Sequence, residues 1–296
     1  MARFSFIGPS YTNRSVNVSS QETINLMPER VEEDEDESIV LVGVPGRQVF
    51  VTLPDQPHRG AFAINERAFA VAGAAFCEVY ANGGFDQRGS VEADDWPVTM
   101  CSSGSASGHI LISSAGKTYV YNLVTNLLTQ VTDADMPFPV TRVDFINSYF
   151  LALKRRSIQF NSSALLNPAS WDPLDLYQRS PRGDHLRSLL VAQTDVWLWG
   201  IQSSEVWFNS GDPLDPFQPI PNAVLDVGCA AVYAPVKFAG SVGWLTENPS
   251  GDRQVVIAGP GYQPVPISNH AVTSELSQYA RVDDAEGLSY QMDGHV

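Results

Sequence analysis

The stretch "RSLLVAQTDVWLWGIQSSEVWFNSG", residues 187–211, contains three short apolar segments separated by polar turns. The segments are rich in Leu, Val, Trp and Phe, the residue types that suit a pleated, half-buried strand. Gln193-Thr194-Asp195 separates the first two segments and has the composition of a hairpin turn. The stretch therefore predicts a meander of antiparallel strands.

The same pattern recurs along the chain. Similar units begin near residues 59, 108, 141, 187, 231 and 278, and a spacing of roughly 33 to 49 residues with three or four strands per unit is typical of propeller blades. Further hairpin turns are predicted at Ser114–Lys117 and at Asn147-Ser148. We therefore predict an all-β fold, a β-propeller-like toroid of short antiparallel sheets. A two-sheet sandwich is the competing architecture, but its strands need not group in threes.

Little helix is expected. The best case is "ISNHAVTSELSQY", residues 267–279, where Ser268 could cap a helix of two or three turns with Ala271, Leu276 and Tyr279 facing inward. The sixth unit stops after "YQMDGHV", with its second strand barely begun, and a blade cut there would leave an open sheet edge. The last blade is therefore expected to be incomplete.

The N-terminal part of the chain has a different character. "SYTNRSVNVSSQETINLMPE", residues 10–29, is polar and extended, with one small apolar group at Ile24, Leu26 and Met27. Six consecutive acids follow: Glu32, Glu33, Asp34, Glu35, Asp36 and Glu37. Adjacent like charges repel, which favours a solvated loop. We predict two regions, an extended arm with an acidic loop over residues 1–57 and a propeller body over residues 58–296.

Composition limits the function. The formal net charge is −15 at pH 7, which argues against a protein that binds nucleic acid by neutralising phosphates. Cys77, Cys101 and Cys229 are too few and too scattered for a disulfide framework, and we interpret them as buried thiols. No signal peptide is recognisable, and no segment approaches the roughly 18 apolar residues of a transmembrane helix. The sequence thus indicates a soluble protein made in the cytoplasm.

No catalytic, cofactor or metal site is predicted. The five histidines lack metal-ligand spacing, and no nucleotide-binding loop occurs. Glu205, Asp195 and Asp226 are conceivable glycosidase carboxylates, but sequence alone cannot bring two of them together. The acidic run lacks the pattern of a calcium loop. We predict that the protein is not an enzyme.

Two alternative functions remain open on the residues alone. One is a glycoside hydrolase. The other is a carbohydrate- or receptor-binding propeller that uses exposed tryptophans, with these candidates: Trp197, Trp199, Trp207 and Trp244. Alternating aromatic residues in a strand are, however, more often core.

The single basic triplet, Lys154–Arg156, is predicted to be a hairpin turn, with a contact to phosphate or to a neighbouring subunit as the alternative.

Several segments resemble one known family. They are the arm at residues 10–29 with its Asn-Leu-x-Pro-Glu group, "LVGVPGRQVF" at 41–50, "RGAFAINERAFAVAGAAFCEVY" at 59–80, "LLVAQTDVWLWGIQSSEVWFNSGDPLDPFQPI" at 189–220, "GCAAVYAPVKFAGSVGWL" at 228–245 and "VVIAGPGYQPVPISNHAVTSEL" at 255–276. In this order they resemble the packaged-DNA stabilisation proteins, also called tail hub or nozzle proteins, of short-tailed bacteriophages. The acidic run departs from the family pattern, and in the family the chain continues beyond the position of Val296.

The resemblance implies a structural protein of the virion tail, assembled in the host cytoplasm and without catalytic activity. It implies a ring, usually of six copies, that closes the DNA exit channel below the portal and its adaptor proteins. The ring would carry distal parts such as tail fibres or a needle, and would stabilise packaged DNA and conduct it during ejection without binding it specifically.

Two assembly elements are expected from this assignment. An extended polar segment with a small apolar anchor folds poorly alone but can add to a neighbouring sheet. The expected arm residues are Arg14, Ile24, Asn25, Leu26, Pro28 and Glu29. The acidic run at Glu32–Glu37 is expected to face the DNA channel, where a basic wall would bind DNA and slow its passage. Contact with a basic patch on the adaptor, or a position on the outer surface, is the alternative.

Overall fold

The computed structural model describes residues 24–31, 38–44, 46–179, 183–238 and 240–291. The described part is almost entirely β-structure, in five four-stranded antiparallel sheets and one separate two-stranded sheet. The separate sheet consists of β1 (Leu26–Val31) and β2 (Ser38–Gly43). The first four-stranded sheet begins at His58.

Each four-stranded sheet is a meander of consecutive strands. Sheet one has β3 (His58–Ile64), β4 (Arg67–Ala72), β5 (Ala75–Val79) and β6 (Phe85–Ser90). Sheet two has β7 (Thr99–Ser102), β8 (His109–Ser114), β9 (Lys117–Asn122) and β10 (Leu127–Gln130). Sheet three has β11 (Val140–Ile146), β12 (Tyr149–Lys154), β13 (Gln159–Ala164) and β14 (Asn167–Gln178).

The remaining two sheets follow the same plan. Sheet four has β15 (Leu186–Ala192), β16 (Asp195–Gly200), β17 (Ser204–Asn209) and β18 (Phe217–Leu225). Sheet five has β19 (Val236–Phe238), β20 (Ser241–Glu247), β21 (Arg253–Ala258) and β22 (Pro264–Pro266). The first strands of consecutive sheets lie side by side, β3 with β7, β7 with β11 and β11 with β15. Sheets joined through their first strands around a centre are propeller blades, so the fold is an all-β propeller with five blades.

Tight turns set the register within the blades. Ala115 and Gly116, between β8 and β9, have φ values of 51° and 81°, and Asn147 and Ser148 have 45° and 75°. Two-residue turns with positive φ at both positions match the twist of the paired strands. The turns predicted at Ser114–Lys117, Asn147-Ser148 and Gln193-Thr194-Asp195 are confirmed.

Four hydrophobic clusters join the blades in series. In β8, Ile110 and Ile112 pack in the cluster with sheet one, while Leu111 packs in the cluster with sheet three. The same alternation occurs in β15, where Leu189 faces sheet three and Leu190 faces sheet five. Both faces of these strands are therefore buried, which explains why the sequence reads as continuous apolar runs instead of alternating polar and apolar residues. Among the described residues, no such cluster joins sheet five to sheet one.

Three sequence-based predictions need correction. The second unit begins at Thr99 with β7, not near residue 108, because "TMCS" is too short and polar to be read as a strand. The fifth unit begins at Val236, not near 231. The expected sixth unit has no strand among residues 278–291, where Glu286 forms a single parallel bridge with Tyr233.

The predicted helix is present at the expected position, but its N-cap residue and one of its inward-facing residues differ from the prediction. Helix α1 spans His270–Leu276, and its N-cap is Asn269, whose side chain accepts hydrogen bonds from the backbone N–H groups of Ala271 and Val272. Ser268 instead accepts a hydrogen bond from the Val255 backbone N–H. Leu276 packs against the cluster between sheets four and five as expected, whereas Tyr279 is half exposed. Within the part of the chain that the structure describes, no helix has the length and hydrophobicity to cross a bilayer.

Candidate functional site: an exposed hairpin and the mouth of the propeller channel

The first candidate surface is the hairpin formed by β1 and β2. Its strands pair from Leu26 with Gly43 to Val31 with Ser38, so the acidic run at Glu32–Glu37 connects the two strands. That run and Arg14 lie outside the described residues. At the open end, the Asn25 carbonyl accepts a hydrogen bond from the Val44 N–H at 3.0 Å. The arm residues 26–31 are therefore a strand of a local hairpin, and their strand partner lies in the same chain.

The hairpin exposes apolar side chains. Ile24 is 65% exposed and Leu26 40%, so these residues do not form a buried apolar group, and the side chains of Pro28 and Glu29 are outside the described set. Val40, Val42 and Val44 are also exposed and alternate along the chain, which places them on one face. A two-stranded sheet is marginally stable alone, and exposed apolar residues grouped on one face mark an interaction surface.

The second candidate surface is an open cavity beside the ends where the first strands of the sheets begin, and we call it the mouth. Three of these strands carry a bulge at their second residue: Arg59 in β3, Thr141 in β11 and Arg187 in β15. A bulge leaves one residue out of the ladder and redirects its side chain. Two of the bulged residues, Thr141 and Arg187, line the mouth, whereas Arg59 is buried.

Arg59 holds the connection between sheets one and two. Its side chain is 3% exposed and donates from Nε to the Trp96 carbonyl at 2.9 Å and from Nη1 to the Ser114 hydroxyl at 3.0 Å. It also pairs with Asp94. This guanidinium is fully engaged, so it shapes the mouth and leaves no donor for a ligand.

Two other arginines hold the segment that leads into sheet five. Arg187 donates to the carbonyls of Cys229 and Ala230, and Arg142 donates to the Val232 carbonyl at 3.1 Å. The Ser188 hydroxyl also donates to the Val232 carbonyl, at 2.7 Å. The Nε atom of Arg142 is buried without a hydrogen-bond partner, and burial lowers the pKa of this guanidinium.

The mouth contains an open cavity of about 520 Å³. Its lining combines basic and aromatic side chains, namely Arg155, Arg156, His185, Arg187, Trp96 and Tyr233. The rings of Trp96 and Tyr233 lie 6.4 Å apart. Asp283 is the acid in the lining, and it pairs with Arg281 at 2.9 Å. Lys154 ends β12, and Arg155 and Arg156 form the turn toward β13, which confirms the predicted turn and places both arginines at the mouth.

Tyr233 lies among several charged side chains of the mouth. Burial raises the pKa of its phenol, while the positive charges of Arg142, Arg155 and Arg59 act in the opposite direction and Asp94 adds to the rise. The lining of the cavity has three arginines, Arg155, Arg156 and Arg187, against one carboxylate, Asp283, so this surface is positive. The mouth therefore differs in sign from the chain as a whole.

Between sheets three and four, Asp144 of β11 accepts backbone hydrogen bonds from Val191 of β15 at 2.6 Å and from Phe145 at 2.8 Å. Desolvation raises its pKa, partly offset by Lys237 and by these bonds. The three cysteines are buried and free, as predicted. Burial raises the pKa of Cys229 to about 12, which makes its thiol a poor nucleophile at neutral pH.

The three candidate glycosidase carboxylates have separate surroundings. Glu205 is buried, and its oxygens bind Arg179 at 2.6 Å and the Trp207 indole N–H at 3.1 Å. Asp195 accepts a hydrogen bond from the Tyr262 hydroxyl at 2.9 Å. Asp226 lines a different cavity, between sheets four and five. Within the described ranges, no group of three or more His, Cys, Asp or Glu residues is arranged to hold a metal ion.

The four tryptophans considered for sugar binding are buried, between 0% and 6% exposed. Trp197, Trp199 and Trp244 form one aromatic group, with ring centroids 5.6 to 6.0 Å apart. The prediction that these residues are core is confirmed. They do not form an accessible sugar platform.

Sequence reasoning missed Arg59, Arg142, Arg187, Trp96 and Tyr233 as residues of the mouth. A usable signal was present in "HRGAF" and "LRSLL", where an arginine occupies the second position of a first strand whose other residues are small or apolar. A charge in that position is costly unless the chain redirects it. Tyr233 and Trp96 gave no signal, because they are distant in the sequence and only the packing of the blades brings them together.

The fold and its surfaces define a class, a five-bladed β-propeller that exposes an apolar hairpin and a basic cavity. A family profile described as "Bacteriophage P22 Gp10, beta-propeller" matches residues 6–295. The chain belongs to this family, and the resemblance predicted from the sequence is confirmed. The family supports a structural role in a bacteriophage tail and a place in the virion.

Solved structures confirm the fold alone. The extracellular domain of a one-component system from B. thetaiotaomicron has a TM-score of 0.51 and 12% identity, over 76% of this chain and 30% of that one. This chain thus spans less than a third of the length of that domain. The computationally designed Ika8 protein has a TM-score of 0.49 and 12% identity, over 92% of this chain and 76% of that one. A search of curated proteins found no significant match.

Proposed function

We propose that the protein is a ring-forming component of the phage tail that closes the DNA exit channel, stabilises the packaged genome and conducts it during ejection. The family match over residues 6–295 carries this proposal. The ring, expected to contain six copies, would lie below the portal and its adaptor and hold tail fibres or a needle. Assembly would take place in the host cytoplasm. The overall negative charge supports a conduit from which DNA is released.

In this proposal the region before His58 serves assembly and the propeller is the body. The hairpin supports such a role because Val40, Val42 and Val44 present an apolar face that β1 and β2 cannot bury between themselves. A neighbouring subunit or the adaptor would cover that face. The buried tryptophans and the separated carboxylates give the sugar-binding and glycosidase alternatives no support.

The test replaces two residues of the apolar face, Val40→Asp and Val42→Asp, in the full chain. We expect the protein to stay folded and to lose rings, and docking on portal–adaptor complexes, in negative-stain images and size-exclusion profiles. Val124→Asp is the matched control, because Val124 is 82% exposed in sheet two and away from the hairpin. Rings that persist in the double variant would contradict the assembly role of the hairpin.

A further inference from the structure

The mouth cavity is a basic site on an acidic protein. Three arginines, Arg155, Arg156 and Arg187, line it, and among the described residues none of them lies within ion-pair distance of a carboxylate. The nearby acids are already engaged, since Asp94 pairs with Arg59 and Asp283 with Arg281. Guanidinium groups without a carboxylate partner on one wall are suited to bind carboxylates or phosphates. Arg187 is in addition held in place by the carbonyls of Cys229 and Ala230.

The size of the cavity is that of a binding cleft. Its volume of about 520 Å³ lies in the range of about 300 to 1,000 Å³ that is usual for binding clefts. Trp96 and Tyr233 add apolar surface beside the charges. A strongly acidic peptide segment would match this combination of charge and shape.

The chain itself carries such a segment. Glu32–Glu37 are six consecutive acids, and they join the two strands of the exposed hairpin. A closed ring of more than two copies needs two different complementary patches on each subunit, one for each neighbour. A basic mouth and an acidic hairpin loop are two patches of this kind.

We propose that the basic mouth of the propeller, formed by Arg155, Arg156 and Arg187 with Trp96 and Tyr233, binds the acidic loop Glu32–Glu37 of a second copy of this chain. The inference rests on the proposed ring and specifies the contact that links adjacent subunits. Opposite charges would guide the loop to the mouth and fix the order of the subunits. Val40, Val42 and Val44 on the same hairpin would add apolar contact to the neighbour.

The first experiment measures binding without requiring assembly. The full chain with its six acids changed to the matching amides (Glu→Gln, Asp→Asn) is titrated into a fluorescent peptide of residues 31–38. We expect saturable binding that weakens as salt rises, and at least tenfold weaker binding after Arg155→Glu and Arg156→Glu. Arg47→Glu is the control, because Arg47 is exposed and does not line the cavity. Equal binding by the mouth and control variants overturns the proposal.

The second experiment measures assembly of the full chain. Arg155→Glu with Arg156→Glu should abolish rings, and adding lysines in place of Glu33 and Glu35 should restore them. Rings that form unchanged in the arginine variant overturn the inference and leave the proposed function standing. If the unaltered chain never forms rings but the peptide still binds the mouth, the proposed ring function is contradicted. The binding of the acidic loop by the mouth would then be supported as an interaction outside a ring.

A third measurement separates peptide from nucleic acid. A short fluorescent DNA duplex is titrated into the same variants at the same salt concentrations. We expect no binding that depends on Arg155 and Arg156. The proposal would be overturned in favour of a phosphate site if these two substitutions removed binding of the duplex and left the affinity for the peptide unchanged.

Discussion

Arg179 and Glu205 form an ion pair between sheets three and four in which both side chains are at most 1% exposed. The Arg179 guanidinium also binds the Ser203 hydroxyl and lies 3.1 Å from Asp184. Breaking a buried pair leaves an uncompensated charge, which costs about 3 to 5 kcal/mol. The intact ion pair is therefore important for the stability of the interface between sheets three and four.

We expect Arg179→Met to lower the free energy of unfolding by about 3 to 5 kcal/mol in urea titrations. Adding Glu205→Gln should recover part of the loss, because the remaining amide can still accept the Trp207 N–H. Arg281→Met is the control, since its pair with Asp283 is exposed and such pairs contribute about 0 to 1 kcal/mol. A loss from Arg179→Met as small as that of the control would contradict the importance assigned to the pair.

Glu78 connects sheets one and two by a different network. It accepts hydrogen bonds from Arg67 at 2.6 Å and from Arg88 at 2.8 Å, and Arg67 also donates to the Tyr121 hydroxyl. The hydrogen bond from Arg67 is the main reason that the pKa of Glu78 is below its ordinary value of 4.5, and burial opposes it. The carboxylate form is thus favoured by folding.

A depressed folded pKa contributes stability that is present above the unfolded value and disappears as the pH falls through the folded value. Glu78→Gln should therefore destabilise the protein at pH 7 and make a shrinking difference below pH about 4.5. Unfolding titrations of both proteins across this range measure the effect. Glu92→Gln, at an exposed pair with Lys117, should show little difference at any pH. If the difference in free energy of unfolding between Glu78→Gln and the unaltered protein stayed constant over this pH range, the ionisation of Glu78 would not contribute to stability as described.

At the residue scale, the sequence predicted which side chains are buried better than it predicted their hydrogen-bond partners. The tryptophans were assigned to the core from their alternation in β16 and β17, and they are buried there. Arg142 and Arg187 were not predicted, because each binds backbone carbonyls more than 40 residues away, at Val232 and at residues 229–230 respectively. A strand pattern contains no information on such partners.

At the element scale, β16 and β20 contact each other through an aromatic group at the interface between sheets four and five. Trp244 in β20 is 1% exposed, packs against Trp197 and Trp199 of β16, and donates its indole N–H to the Gly228 carbonyl at 3.2 Å. Removing a buried Trp side chain loses apolar burial and leaves a cavity. The Gly228 carbonyl would also lose its donor.

We predict that Trp244→Ala lowers the free energy of unfolding by about 3 to 5 kcal/mol, measured by urea unfolding. Leu214→Ala is the control, because Leu214 is 94% exposed and surface substitutions usually change stability by about 0.5 kcal/mol or less. Similar values for the two variants would show that the aromatic group does not bind sheets four and five together.

Element boundaries show the limits of local signals. Turns such as Asn147-Ser148 were predictable because positive φ values favour particular residues within the turn itself. The helix cap was assigned to Ser268 instead of Asn269 because both residues can cap. Tertiary structure decided between them, since β21 uses the Ser268 hydroxyl as an acceptor for the Val255 N–H.

At the scale of the whole molecule, the blades form a series in which neighbours are joined by hydrophobic clusters. Sheets two, three and four have a cluster on each face, while sheets one and five have one each among the described residues. When each unit contacts only its neighbours, stability is approximately the sum of the unit terms and the interface terms. The outer two sheets should therefore open more easily.

Hydrogen exchange measured by mass spectrometry tests this expectation. Amides of β8, β12 and β16 should exchange more slowly than those of β4 and β20, because local opening of an end blade breaks one interface and not two. The separate hairpin of β1 and β2 should exchange fastest in the monomer. Equal protection in all five sheets would indicate a closed ring with a fifth interface.

The sequence alone determined the all-β class, the blade repeat, the core tryptophans and the family, because strand periodicity, turn chemistry and motif order are local properties of the chain. Tertiary structure decided the number of blades, the bulges that redirect Arg59 and Arg187, and the basic mouth. These features depend on which distant segments meet once the sheets pack around a centre. Six acids can be read from the chain directly, whereas a positive site opposite in sign to the whole protein exists only after folding.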